Sequence, residues 1–387
     1  MDDVVIVSAV RTAIAKKGGA LASVDPAIYG GEVIKEALNR VEVETESVED
    51  VIFGNCLSGG GNMARVSLLE ADLPVDIPGL TIDRQCGSGI NSVALAAEKI
   101  MSGNADVVVA GGTESMTRSP HLLAVQEKAY DQRPPQFINP RLSPDRIGDP
   151  PMGITAENLA EKYEVSRDEQ DAFALRSQER MANAIDKGYF KDQIVPIDVK
   201  TRKGTVTFDQ DEHPRPDVTK EALGKLPPVF KKDGSVTAGS SSGINDGASA
   251  LVLMSRKEAE KRGLTPLAAV KASAVAGVDP NIMGIGPVPA VKKVLEKTGE
   301  KLEDYDLIEL NEAFAAQVLA CDRELSFDMD KLNVNGGAIA HGHPIAATGG
   351  MLVTKLCYEL NRLGEKKGLV TACIGGGQGI ALTLETE

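Results

Sequence analysis

The sequence predicts an α/β protein assembled from two similar halves with a dissimilar region between them. Three observations carry that reading: strand and helix patterns that alternate, a repeat of their order along the chain, and a composition rich in glycine and poor in aromatics. At 387 residues the chain is too long for one small core. Its 39 glycines and 4% aromatic content, with no tryptophan, suit helices and strands that approach one another closely.

The first copy opens with the apolar run VVIVSAV (4–10) and the second with LAAVKASAVAGV (267–278). Each leads into a helical pattern, GGEVIKEALNRV (30–41) and VPAVKKVLEKTG (288–299). Acidic links then enter strands at SVEDVIFGN (47–55) and LEDYDLIELNE (302–312). The third elements correspond as well. TIDRQCGSG (81–89) precedes a helix near 90–102 and the strand VVVAGGTES (107–115), while NVNGGAIAHGH (333–343) precedes a helix near 346–363 and the strand LVTACIGGG (369–377). The correspondence is one of pattern, without sequence identity. Alternation on this scale predicts largely parallel sheets covered by helices. The expected division is a first half at 1–118 with 243–265, a second half at 266–387, and an insertion at 119–242.

The insertion is richer in proline and charge. It contains one amphipathic pattern, SRDEQDAFALRSQERMANAIDKG (166–188), with Ser166 as its N-cap and Gly188 as its stop. A long insertion of this kind is expected to lie over the functional site and bind substrate; a decorative role is the alternative.

A formal net charge of −14 argues against a general nucleic-acid binder, whose affinity rests on neutralising phosphates. Between residues 213 and 232, Arg215, Lys220, Lys225, Lys231 and Lys232 outnumber Asp217 and Glu221. That stretch suits either an anionic ligand or a solvated loop face. No run of eighteen apolar residues occurs, so no membrane span is expected. The opening MDDVVIVSAV is acidic and enters a strand pattern at once, unlike a secretory leader, and a cytoplasmic location is the expectation. The five cysteines (56, 86, 321, 357 and 373) form no CxxC pair and are expected to be thiols.

Cys86 stands where a strand pattern gives way to a helix pattern. A thiol there meets the positive end of a helix dipole and unpaired N–H groups, which should hold its pKa below the usual value of about 8.5. Gly87 and Gly89 would let a substrate approach the backbone. The same pattern also fits an inert buried cysteine. His343 takes the slot of the second half that corresponds to Cys86, and histidine is the usual base for a nucleophilic thiol. His341, two residues away, forms an H-x-H pair without a third ligand at zinc-like spacing, so it reads as a loop histidine and no metal is expected. Cys373 offers a second thiol, as a reaction in two half-steps would need. The glycines after it resemble a phosphate-binding turn but lack GxGxxG spacing. Asn311, where an apolar strand meets a helix, fits either a holder of water for an oxyanion or a helix N-cap.

DRQCGSG, LNEAFAAQ, NGGAIAHGHP and CIGGGQG follow the order of the thiolase family, each at the strand end that family uses. With PMGITAENLA (151–160), VTAGSSSGINDGAS (236–249) and MGIGPVPAV (283–291), the resemblance runs through the whole chain. It implies a thiolase fold of two similar five-layered βαβαβ-type halves with a loop domain that binds CoA. Cys86 then matches the acylated nucleophile and His343 its base, which also helps bind the thioester oxygen. Cys373 matches the acid/base for the second reactant. Asn311 matches the residue holding a water opposite His343, and the N–H groups of Cys86 and Gly375 resemble a second oxyanion hole. Ser242 and Arg215 match contacts to the pantetheine and adenine ends of CoA, Met152 lines the pantetheine channel, and Phe314 and Met283 border the acyl pocket.

The resemblance implies cleavage of 3-oxoacyl-CoA by CoA, or the reverse condensation of acyl-CoA with acetyl-CoA. CoA is a substrate, no cofactor is implied, and the assembly is a homodimer or homotetramer. Departures from the family pattern are Ala346 for a glycine, Gly349-Gly350-Met351 for Gly-Ala-Arg, His341 for leucine and Ser240 for asparagine. Pro151-Met152 resembles degradative members, where short-chain biosynthetic ones often have His-Met. Two other readings share features of the chain. A non-catalytic thiolase-like carrier of lipid or CoA would lack one of the four groups, and a ketoacyl-synthase-type condensing enzyme would have a second histidine where NEAF stands.

Overall fold

The apolar run at the start of the chain is continuous because both faces of its strand are covered. Strand β1 (Val4–Thr12) is buried along all nine residues. The other main strands are β2 (Asp50–Gly54), β3 (Gly79–Ile82), β4 (Val107–Ser115), β5 (Asn245–Ser255), β6 (Ala268–Gly277), β7 (Leu307–Leu310), β8 (Lys367–Ile374) and β9 (Gln378–Glu385). The principal helices are α1 (Pro26–Asn39), α2 (Met63–Glu70), α3 (Ser88–Met101), α4 (Met152–Lys162), α5 (Arg167–Asp186), α6 (Pro287–Thr298), α7 (Ala315–Leu325) and α8 (Ile345–Leu363). This computed structural model describes residues 3–59, 61–126, 128, 130 and 133–387, so Met1 and Asp2 of the opening segment lie outside the described residues.

The strands form one hydrogen-bonded sheet in the order β7-β8-β9-β6-β1-β5-β4-β2-β3, with short strands Ala15–Lys16 and Ile194–Val195 added to β5 and β1. The same local order, β2-β4-β5-β1 and β7-β8-β9-β6, occurs on either side of a short seam where Val4–Ile6 pairs antiparallel with Ala268–Val270. The expectation of largely parallel sheets is corrected. Only the outer pairs β3–β2, β2–β4 and β7–β8 are parallel among these strands, whereas β4–β5, β5–β1, β6–β9 and β8–β9 are antiparallel. The reason is topological. β8 returns directly into β9 through Gly375–Gly377, and a hairpin of that length makes an antiparallel pair without a crossover helix. Gly376 and Gly377 both have φ +84, and a Cβ on Gly377 would lie 2.4 Å from the Val278 carbonyl oxygen. The triple glycine is thus a tight hairpin turn.

Helices divide the molecule into five layers. α1 and α2 cover the outer face of the first half, sealing a core that includes Tyr29, Val33, Phe53 and Leu68. α6 and α7 do the same for the second half, around Val291, Val318 and Leu310. Between the halves lie α3 and α8, whose Ile90, Val93, Leu352 and Leu356 share a core with strands of both halves. The two helices meet backbone to backbone: a Cβ on Gly89 would be 2.4 Å from Gly350 N, and one on Gly349 would be 2.2 Å from Ile90 N.

Within the insertion, Ser166 and Glu169 cap α5 reciprocally, and Gly188 follows its end at φ +70. α4 and α5 pack on the second half, joining the core of α6 and α7 through Leu159 and Phe173. The stretch near residue 211 is tied to the first half instead. Arg11, at the end of β1, is buried and pairs with both oxygens of Asp211 at 2.8 and 3.0 Å. Among the described residues no helix is long and apolar enough to cross a membrane.

Candidate active site

After β3 the chain enters a tight 3-10 turn, Gln85–Gly87, and α3 begins at Ser88. Gln85 sits at φ +44, a strained conformation for a residue with a side chain. The strain is held by local bonds: Gln85 N donates to Asp83 at 2.8 Å, Arg84 N donates to Ser88 Oγ at 2.8 Å, and that hydroxyl donates to Gln85 O at 2.7 Å. Cys86, in the middle of the turn, remains partly exposed. The N–H of Gly375 is directed at its thiol. The expectation of a depressed thiol pKa is corrected. Enclosure pushes Cys86 up to about 11, and Glu114 and Asp83 add to the rise, against the pull of the Gly375 and Cys86 N–H groups. Desolvation of a thiolate outweighs the helix end.

His343 follows a single helical turn, Ala338–His341. Its N–H donates to Asn245 Oδ1 at 2.9 Å, its Nδ1 lies 2.6 Å from Thr348 Oγ1, and its Nε2 lies 3.4 Å from Asn311 Nδ2. Burial pulls its pKa down to about 4, so the ring is neutral around neutral pH and free to take a proton. Asn311 is not a helix cap, since Phe314 occupies that position for α7. Asn311 is fully buried, its N–H donates to Thr371 O at 3.0 Å, and its Oδ1 has no partner among the described protein atoms. Cys373, near the end of β8, is fully buried. Burial pushes its thiol well up, and Cys86 is close enough that charge on one sulfur opposes charge on the other.

The Gly375 turn is where these parts meet. A Cβ placed there would lie 3.1 Å from Leu142 Cδ1, 3.6 Å from Met152 Sδ and 3.8 Å from Gln85 Cγ. The insertion, through Leu142 and Met152, therefore covers the turn beside Cys86. Met283 and Phe314 join Cys373 in one apolar cluster. Phe314 stacks edge-on with Phe230 at 5.9 Å, and Phe230 borders a cavity of about 300 Å³ that is also lined by Ser242, Arg215 and His213. Ser242 is fixed by its N–H to Ala313 O at 2.9 Å, next to Phe314, and the Arg215 N–H donates to Gln178 at 2.9 Å. Gly375 and Cys373 thus lie beside Cys86, His343 lies against Asn311, and Phe314 packs on Phe230 at the edge of the cavity that holds Ser242 and Arg215.

Some expected neighbours do other work. Ser240 is buried and accepts the Thr237 N–H at 3.0 Å, closing its own turn. His341 points its Nδ1 at Gly342 O, 2.8 Å away. A larger cavity of about 670 Å³, bordered by Cys56, Thr117 and His121, contains none of the expected site residues. Three residues at the site were not singled out from the sequence: Asn245, Thr348 and Glu114. Asn245 stood inside a motif already noted, and Thr348 lies one helical turn beyond His343. Glu114 carried no signal, because its partners come from remote segments.

The thiolase N-terminal domain family matches residues 4–257, and the thiolase C-terminal domain family matches 264–386. An acetyl-CoA acetyltransferase of Chromobacterium violaceum is 49% identical, covering 99% of each chain. The crystal structure of the Bacillus anthracis acetyl-CoA acetyltransferase superposes with a TM-score of 0.95 at 48% identity, over 100% of this chain and 99% of that one. Human mitochondrial 3-ketoacyl-CoA thiolase in complex with CoA superposes at 0.93 with 43% identity, over 100% of this chain and 98% of the other. Matched in both domains and along its full length, with strands and motifs in the same order, the chain belongs to the thiolase family.

Proposed function

We propose that this thiolase moves acyl groups between CoA thioesters and the α-carbon of acetyl-CoA through a thioester on Cys86. The observation that carries the assignment is the Gly375 N–H aimed at the Cys86 thiol, with a second thiol, Cys373, close by.

In thiolysis, Cys86 Sγ attacks the 3-keto carbon of 3-oxoacyl-CoA while its proton passes to His343. A thiol pushed up to about 11 does not surrender its proton to an imidazole near about 4 in the resting site. Transfer is completed only as the sulfur–carbon bond forms. The bond between C2 and C3 then breaks, leaving the acyl group on Cys86 and the enolate of acetyl-CoA. Cys373 gives that enolate its thiol proton, and acetyl-CoA departs. Free CoA yields its thiol proton to the Cys373 thiolate and takes the acyl group from Cys86, which leaves as a thiolate and recovers its proton from His343. Condensation runs the same steps backwards.

Two oxyanions arise and need separate donors. The N–H groups of Cys86 and Gly375 serve one, and His343 with a water held by Asn311 serves the other. The path from Phe314 and Met283 past Met152 to Ser242 and Arg215 holds the acyl chain and CoA, with Arg215 supplying positive charge for the nucleotide end. CoA enters as substrate and no cofactor takes part. The division at 1–118 with 243–265, 119–242 and 266–387, a homodimeric or homotetrameric assembly and a cytoplasmic location complete the reading.

The test is to incubate the protein with acetyl-CoA and map the acylated residue by mass spectrometry. A 3-oxoacyl-CoA series from four carbons upward, assayed with CoA, measures chain length alongside. Acylation at Cys86 is expected; a label on another residue refutes the assignment.

A further inference from the structure

Glu114, the next-to-last residue of β4, is fully buried and faces only donors. Its Oε1 accepts the Leu57 N–H at 3.0 Å, the Ser58 hydroxyl at 2.5 Å and the Asn55 amide at 3.5 Å. Its Oε2 accepts the Cys56 N–H at 3.1 Å and the Ala346 N–H at 3.3 Å. A protonated carboxyl would turn its O–H toward these donors, so the carboxylate is the form that fits, although burial raises its pKa. Ala346 lies in the first turn of the nineteen-residue α8, where an anion is favoured by the helix dipole.

Each side of this carboxylate leads to one reacting group. On the first side, Cys56 Sγ lies 3.7 Å from Gln85 O and 3.4 Å from Ser88 Oγ, the two groups that close the turn around Cys86. On the second, Ala346 stands between His343 and Thr348, whose hydroxyl holds the His343 ring. The seat is tight. A Cβ on Gly112 would lie 2.4 Å from Ala346 O, and one on Gly54 would lie 2.9 Å from it. Glycine at the end of β2 and within β4 lets the start of α8 settle on the first half within reach of Glu114.

We propose that Glu114 is a positioning residue that locks the Cys86 turn and the His343 loop into one geometry across the boundary between the halves. The inference rests on the reading of Cys86 as nucleophile and His343 as its base. The carboxylates acting on the Cys86 thiol are Glu114 and Asp83, and loss of the Glu114 charge removes one influence that holds the thiol up.

The test is Glu114→Gln, with steady-state thiolysis and the pH dependence of Cys86 alkylation by iodoacetamide. The expected result is a kcat lower by about 10- to 100-fold, the effect of a small misplacement of reacting groups. KM for the acyl-CoA should stay within about twofold, and the alkylation midpoint should move to lower pH. A carboxylate that only held the fold together would lower stability without splitting kcat from KM. A kcat within about threefold of the parent, or an unmoved alkylation profile, overturns the proposal. Should Glu114→Gln not fold, Ser58→Ala keeps the charge and removes one donor; a kcat lower by about fivefold with KM unchanged is then expected, and parental kcat overturns it. If the unmodified protein is not acylated at Cys86 by acetyl-CoA, the nucleophile assignment has failed. If it is acylated and Glu114→Gln behaves as the parent, only the role of Glu114 has failed.

Discussion

In the first half a four-residue strand, β3, pairs parallel with β2 and delivers the chain straight into the turn of Cys86. In the second half the matching partner of β7 shrinks to a single parallel bridge between Leu332 and Ile308, and the chain then wanders through a short helical turn before His343. The Cys86 turn is closed by its own neighbours, Asp83, Gln85 and Ser88, and keeps the cysteine partly exposed. The His343 loop is closed by residues from elsewhere, Asn245 of the first half and Asn311 after β7, and buries the ring. A shared strand order places two loops at one end of the molecule, but it does not make them alike. On the proposed reading Cys86 must meet substrate, and its turn, closed largely by its own neighbours, leaves it partly exposed. On the same reading His343 must stay neutral, and its loop is desolvated and held by Asn245 and Asn311.

This contrast can be broken most sharply at the open turn. Cys86→Ala should abolish acyl-enzyme formation and lower kcat by at least about four orders of magnitude, read by mass spectrometry and thiolysis together. At the braced loop, His343→Ala should lower the rate of acylation by about 10²- to 10⁴-fold, the usual worth of a general base. Cys373→Ala separates the half-reactions. The protein should still take an acetyl label on Cys86, while its turnover falls by about 10²- to 10⁴-fold.

Smaller effects sharpen the comparison. Asn245→Ala leaves the buried His343 N–H unsatisfied and should lower kcat by roughly tenfold with KM unchanged. A change in KM alone would show that Asn245 serves the CoA path instead. Acid should weaken the fold through the same burial. His213, His341 and His343 are all held below 6.5 in the folded chain, chiefly by desolvation. As pH falls from about 6.5 toward about 4, the unfolded chain takes up protons that the folded chain refuses, so stability drops over that window. Denaturant midpoints at about pH 7 and about pH 5 measure the drop, and His343→Asn should reduce it.

Much of the proposed site was legible in the chain because its groups sit at strand ends beside glycine or proline. The helix starting at Ser166 was legible for a related reason: a cap, a Glu three residues on and a glycine stop are all local. Strand direction was not. VVVAGGTES reads as a buried strand, but its antiparallel pairing with Asn245–Ser255 depends on where the chain returns after the insertion. Glu114 was silent as well, since its contact to Ala346 spans 232 residues.

Element positions and the identity of the proposed reacting groups follow from the sequence alone, because capping, periodicity and side-chain chemistry depend on residues close along the chain. Tertiary structure decided the ionisation of those groups and their alignment. Cys86 looked activated by its helix end, and only its enclosure, together with Glu114 and Asp83, reverses the direction. Desolvation and charge act through space, on whichever remote segments the fold packs beside a given atom.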